Sequence, residues 1–277
     1  MHPYSEGRHE HGQNFLHDTR IIAQVIDLVA RTEGPILEIG SGEGALTLPM
    51  ERLGRPITAV EIHPGTAERL RARTRRSTEV ITADFLRQPL PPAPHVVVGN
   101  LPFHLTTAVL RHLLHGHGWS EAVLITQWEV ARRRAGVGGS SMMTAQWSPF
   151  FDFRLAGRVA ARCYTPAPSV DGGLLTISRR ASPLLQWNQQ RAYAGFVHRV
   201  FTGQGRGITQ ILRNICGMQK AEVGRRLGEL SIRSTALPKE LTAEQWAGLY
   251  RRLGKTERAG PHDGSRARKQ RRPQGRR

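Results

Sequence analysis

An α/β fold with a smaller helical unit behind it is what this sequence predicts, and three observations carry the prediction. Short apolar runs at residues 35–39, 57–60, 80–82, 96–99 and 122–125 have the length of buried strands and alternate with segments of helical spacing. The first run passes straight into Gly40-Ser41-Gly42-Glu43-Gly44, after which residues 45–53 read as helix, the strand-loop-helix opening of a Rossmann-like sheet. From about Pro183 the pattern turns helical and basic. The expected division is a flexible arm at 1–12, the Rossmann-like domain at 13–180, a helical domain at 181–254 and a disordered basic tail at 255–277.

The arm is polar and holds His2, His9 and His11, but no cysteine or carboxylate cluster of ligand spacing accompanies them, so no metal site is expected. Gln13-Asn14-Phe15-Leu16 breaks the polarity, and Asp18 or Thr19 can cap a helix with Ile21, Ile22, Val25, Ile26 and Val29 on its apolar face. Phe15 and Leu16 read as a hydrophobic staple on that helix. The alternate glycines at 40, 42 and 44 let the backbone approach a ligand closely. Twenty-one residues after Gly40, at the end of the second strand, Glu61 is placed to accept hydrogen bonds from two ribose hydroxyls. The loop is G-x-G-x-G and not the G-x-G-x-x-G of dinucleotide sites, which favours S-adenosylmethionine, a ligand with an adenosine but no pyrophosphate. Asp84, after the third strand, is either a plain loop carboxylate or the acceptor for that cofactor's adenine amino group, with Phe85 covering the ring.

Asn100-Leu101-Pro102-Phe103 follows Val96-Val97-Val98-Gly99, at a strand's C-terminal end, where open α/β sheets bind ligands. One reading is an ordinary strand-to-helix turn, since Asn and Pro are common turn residues. The other is methyl transfer to an exocyclic adenine nitrogen, whose lone pair is delocalised into the ring. The Asn100 side-chain oxygen and the Leu101 carbonyl would each accept one N–H and hold that lone pair on line with an electrophilic methyl group. Pro102 keeps Leu101 extended and brings no N–H of its own. Phe103 would stack on the base, no other aromatic lying close by at this strand end.

A helix of about ten residues, a strand at 122–125 and a basic helix at 127–134 come next. Gly136-Val137-Gly138-Gly139-Ser140-Ser141 reads as a mobile loop, and the two prolines within residues 164–171 as a rigid connector. Forty Lys+Arg against 22 Asp+Glu give a formal charge of +18, of which the tail carries +7. A polyanionic partner is implied, though any single arginine in such a run can be a solvated face. With no apolar run of about 18 residues, and with Cys163 and Cys216 the only cysteines, a soluble cytoplasmic protein is expected.

Taken together, residues 13–16, Glu38 to Gly44, Glu61, Asp84, Asn100 to Phe103 and the Tyr164–Asp171 segment resemble the rRNA adenine N6-methyltransferases in order and spacing. Residues 126–134 and Phe201-Thr202-Gly203 make the chain similar to the Erm group, which modifies 23S rRNA and confers resistance to macrolide, lincosamide and streptogramin B antibiotics. The resemblance spans about residues 9 to 254. It implies S-adenosylmethionine contacts at Asn14, Leu16, Gly40, Glu61, Asp84 and Asn100, with Asn14 and Leu16 folding over the cofactor. It also implies a monomer acting on naked or pre-assembly 23S rRNA, whose target adenine flips out beside Phe103. Phe103 stands where tyrosine is frequent and Tyr164 where phenylalanine is usual, which touches the pocket and not the reaction type. The alternatives are a housekeeping small-subunit (16S) rRNA dimethyltransferase and a non-catalytic RNA-binding protein on the same fold.

Overall fold

The computed structural model describes residues 14–254; the expectations for the arm at 1–12 and the tail at 255–277 lie outside them. β1 (Phe15–Leu16) leads into α1 (Thr19–Ala30), whose Arg20 and Ile21 N–H groups donate to the Asp18 carboxylate at 3.0 and 3.2 Å, so Asp18 is the cap. β2 (Ile36–Ile39) is buried at every position. The helix expected over 45–53 is cut to α2 (Thr47–Met50) and one tighter turn, Glu51–Leu53. Pro49 has no N–H to bond Ala45, which confines it to a first helical turn, and Gly54 at φ 67° ends the segment.

β3 (Ile57–Glu61), α3 (Pro64–Arg71), β4 (Thr78–Thr82), β5 (His95–Asn100) and α4 (Thr106–His115) continue the alternation. β6 (Trp119–Gln127), longer than its apolar centre, runs into α5 (Trp128–Arg134), and α6 (Met142–Trp147), β7 (Phe151–Val159), β8 (Tyr164–Thr165) and β9 (Gly172–Arg179) follow. Seven strands form one sheet in the order β4-β3-β2-β5-β6-β9-β7. β2 to β6 are parallel, and β9 pairs antiparallel with both β6 and β7. The chain builds outward from β2 to β4, then returns to lay β5 on the free side of β2. That reversal opens a crevice beyond the C-terminal ends of β2 and β5.

One pairing lies outside the sequence expectations. β1 and β8 form a two-stranded ribbon, Phe15 opposite Thr165 and Leu16 opposite Tyr164, which fastens the proline segment against the start of the described chain. After β9 come α7 (Gln190–Thr202), α8 (Ile208–Cys216), α9 (Lys220–Gly228) and α10 (Ala243–Leu253). They share one apolar cluster with a face of the sheet, running from Leu37, Val97 and Leu124 through Trp147 and Phe150 to Trp246. The opposite face packs Val96, Val98 and Val123 against Val25 and Val29 of α1, with Leu16 and Tyr164 in the same layer. The fold is thus α/β and Rossmann-like with helices appended, and no described helix is long and apolar enough to cross a membrane.

Candidate active site

β2 to β5 all end on one side of the sheet, and their last residues and following loops enclose a cavity of about 520 Å³. Its wall brings together Asn14, Leu16, Gly40, Glu61, Asp84, Asn100, Leu101, Pro102 and Phe103, every residue singled out above. Gly40, at φ 66°, turns its Cα to open space, and a Cβ there would meet no atom within 4 Å. Gly44, at φ 88°, is required for packing instead: a Cβ would stand 2.6 Å from Leu70. The N–H groups of Gly40 and Ser41 both donate to the Val60 carbonyl, that of Gly44 to Ser41, and that of Gly42 to Glu61. With its amides so engaged, the loop does not present a phosphate cradle.

Glu61 is only 2 % exposed, and its carboxylate also accepts two backbone N–H groups, which the sequence did not reveal. Oε2 accepts the Gly42 N–H and Oε1 the His63 N–H, each at 2.9 Å. A carboxylate offers about four acceptor positions, so it can hold the glycine loop and still receive two hydroxyls. Asp84 likewise has structural duties: Oδ1 accepts the Leu86 N–H at 3.0 Å, capping the turn Phe85–Arg87, and Oδ2 lies 3.4 Å from Arg87.

Asn100 closes β5, and its Nδ2 donates to the Asn14 carbonyl at 3.0 Å. A carbonyl only accepts, so the NH2 must face Asn14 and Oδ1 is left as an acceptor. Leu101 is anchored by its buried side chain and by its N–H, which donates to Ile125 at 3.0 Å, and among the described residues no donor reaches its carbonyl. Phe103 is half-exposed and belongs to none of the apolar clusters of the core. The expectation that it is the one aromatic here is corrected: Phe15, Phe85 and Tyr164 share the wall. Phe15, 42 % exposed, lies over Gly42, and Tyr164 arrives through the β1–β8 ribbon. The Tyr164 hydroxyl is buried beside Gly172, and burial raises its pKa well above the phenol range.

Two further wall residues were not foreseen. Glu38, fully inside β2, accepts the Thr47 hydroxyl at 2.5 Å, and burial, reinforced by the charge of Glu61, pushes its carboxyl up to about 8. The available signal was a carboxylate within an otherwise apolar strand. Ser41 Oγ is buried with no hydrogen-bond partner among the described residues. The donor set fits S-adenosylmethionine: an open glycine face, an unpartnered buried hydroxyl and two carboxylates with acceptor positions to spare.

A family model described as ribosomal RNA adenine dimethylase matches residues 4–255. An rRNA adenine N-6-methyltransferase of Corynebacterium diphtheriae is 56% identical over 214 residues, 77% of this chain and 85% of that protein. The mycinamicin-resistance protein MyrB of Micromonospora griseorubida is 42% identical over 250 residues, 90% of this chain and 80% of its own length. The crystal structure of the 23S rRNA methyltransferase ErmE superposes with a TM-score of 0.79 at 33% identity, over 87% of this chain and 99% of that one. The match across the whole described chain, together with the shared architecture, shows that this protein belongs to the ribosomal RNA adenine dimethylase family.

Proposed function

We propose that the chain transfers methyl groups from S-adenosylmethionine to the exocyclic nitrogen of an adenosine in 23S rRNA, giving mono- or dimethyladenosine and resistance to macrolide, lincosamide and streptogramin B antibiotics. The observation that carries this is one cavity at the switch point in which Glu61, Asp84 and an oriented Asn100 amide face the same space. The similarity to the 23S rRNA methyltransferase ErmE and the mycinamicin-resistance protein MyrB supports the 23S and resistance readings.

S-adenosylmethionine, when bound, supplies an electrophilic methyl group. Glu61 would hold its ribose and Asp84 its adenine, while Gly40 allows close approach and Asn14, Leu16 and Asn100 complete the enclosure. For the target base, Asn100 Oδ1 and the Leu101 carbonyl accept the two amino hydrogens and turn the nitrogen lone pair toward the methyl group. Pro102 fixes the turn and Phe103 stacks on the flipped ring. No side chain of the tetrapeptide is a base, so the rate comes from positioning and the proton lost from the amine passes to solvent. The catalytic unit would be residues 13–180, with 181–254 and the basic tail binding RNA, in a cytoplasmic monomer acting on naked or pre-assembly RNA.

Incubating the purified protein with methyl-labelled S-adenosylmethionine and naked 23S or 16S rRNA tests this. Label should enter 23S rRNA. Label confined to 16S rRNA would point to the small-subunit enzyme, and absence of cofactor binding to a non-catalytic RNA-binding protein.

A further inference from the structure

A second cavity, of about 490 Å³, lies where the glycine-rich loop after α5 meets the segment leading into α10. Arg134, Ser140, Asp152, Arg180, Lys239 and Glu240 face it. It is remote from the catalytic end: Asp152 stands at the start of β7, and the seven residues to Val159, near the end that holds Asn100, span roughly 23 Å of strand. The loop is joined to the later segment by the Ser140 N–H, which donates to the Lys239 carbonyl at 2.7 Å, and Gly139 lies against the Lys239 stem.

The charges around this cleft do not balance locally. Asp152 is paired with Arg180 at 2.7 Å, while Glu240 accepts the Leu237 N–H at 2.9 Å and lies 3.6 Å from Arg233. Both acids are therefore already engaged. Arg134 is different: Nη1 donates to Ser141 Oγ at 2.5 Å, and its buried Nε meets no acceptor among the described residues. Burial lowers its pKa, and the positive charges of Arg111 and Arg133 lower it further. Ser140 Oγ, in the same wall, is also buried without a partner. A half-buried cation without a counter-charge is costly, and a planar guanidinium is the donor group best matched to phosphate oxygens. The loop amides of residues 135, 136, 137, 139 and 140 are all hydrogen-bonded within the protein, so most of the loop backbone is committed and side chains are the main donors left to a ligand.

We propose that this cleft binds a phosphate of the RNA backbone, several nucleotides away from the target adenosine, with Arg134 as its main ligand and Lys239 as the second cation. The inference rests on the reading that the chain acts on RNA. It makes the α5–α6 loop a second grip on the substrate, one that governs affinity and not the chemical step.

The test follows the Arg134 Nε–H signal in a ¹⁵N spectrum, assigned with Arg134→Lys, as inorganic phosphate or a 23S-derived RNA stem-loop is added. Both should shift it. Arg134→Met should weaken RNA binding about 5- to 10-fold and lower the salt slope by about one, with kcat at saturating RNA unchanged. Arg134→Lys should recover part of the affinity. Lys239→Ala, on the surface, should show the same effect more weakly and serves if Arg134→Met does not fold. A signal that moves with neither probe, or with phosphate alone while both variants bind RNA normally, would overturn the proposal. Methylation by the wild type is scored separately, so failure of the enzymatic reading is distinguishable from failure of this one.

Discussion

The two ends of the parallel strands both concentrate polar and aromatic side chains, yet they use them in opposite ways. At the N-terminal end, Arg179 donates from Nε to the Trp119 carbonyl and from Nη2 to the Gly116 carbonyl, both at 3.1 Å. Its guanidinium lies 4.7, 4.9 and 5.5 Å from the ring centres of Trp187, Phe151 and Trp119, and the last two rings stack at 4.9 Å. At the C-terminal end, Asn100 and Glu61 are held by protein contacts on one side and keep acceptor capacity toward a cavity, and Phe103 stands outside the core. A cation boxed in by rings with its donors engaged is architecture. Fixed groups with acceptor positions left over are the mark of a site.

The sharpest way to break this contrast is Asn100→Ala. It removes the acceptor proposed for the reacting nitrogen and should lower single-turnover methylation by about 100- to 1000-fold, the scale seen for deleting one preorganised polar contact. The thermal midpoint should move little. Arg179→Met makes the reverse prediction at the other end: losing two hydrogen bonds and three cation–π contacts should cost about 2–4 kcal/mol in urea unfolding, with kcat of the folded enzyme unchanged. A fall in kcat there would erase the distinction between the two ends.

Phe103→Ala sharpens the comparison at the aromatic level. Base stacking of about 1–3 kcal/mol predicts a 10- to 100-fold loss of turnover on RNA with cofactor affinity and stability preserved, Phe103→Tyr nearly silent and Phe103→Leu in between. Loss of thermal stability together with cofactor binding would mean core packing instead. Glu38 makes a prediction about stability against pH. Its folded-state pKa is raised from an ordinary 4.5 to about 8, so the native state holds a proton that the unfolded chain gives up first. Stability should fall as pH rises from about 4.5 to 8, by on the order of 1 kcal/mol per pH unit, and Glu38→Gln should flatten that slope in urea midpoints.

That Glu61, Asp84 and Asn100 come to line one cavity was legible in the sequence, because each follows a recognisable apolar strand and the α/β rule gathers the loops after strand ends. Leu16 was read in two ways, as a staple on α1 and, through the family resemblance, as cofactor cover. It packs in the layer of Val25 and Val29 and also lines the cavity, so the two readings coexist. Tyr164 and Phe15 could not be placed from the residues alone, because two-residue strands about 150 positions apart have no periodicity to betray their pairing. Glu38 hid for another reason: its proton depends on burial on both faces of the sheet, a property of the packed layers. Arg134 looked like part of a solvated charge run, and its buried Nε and its hydrogen bond to Ser141 set it apart from the exposed Arg133.

The central claim is that the Asn100 end of the sheet methylates an adenosine of 23S rRNA at its exocyclic nitrogen. Mass spectrometry of 23S rRNA from cells producing the wild-type chain or Asn100→Ala tests it directly. The wild type should yield N6-methyl- or N6-dimethyladenosine at one position, absent with Asn100→Ala. Unmodified 23S rRNA in the presence of folded wild-type protein, or equal modification by both, would contradict it.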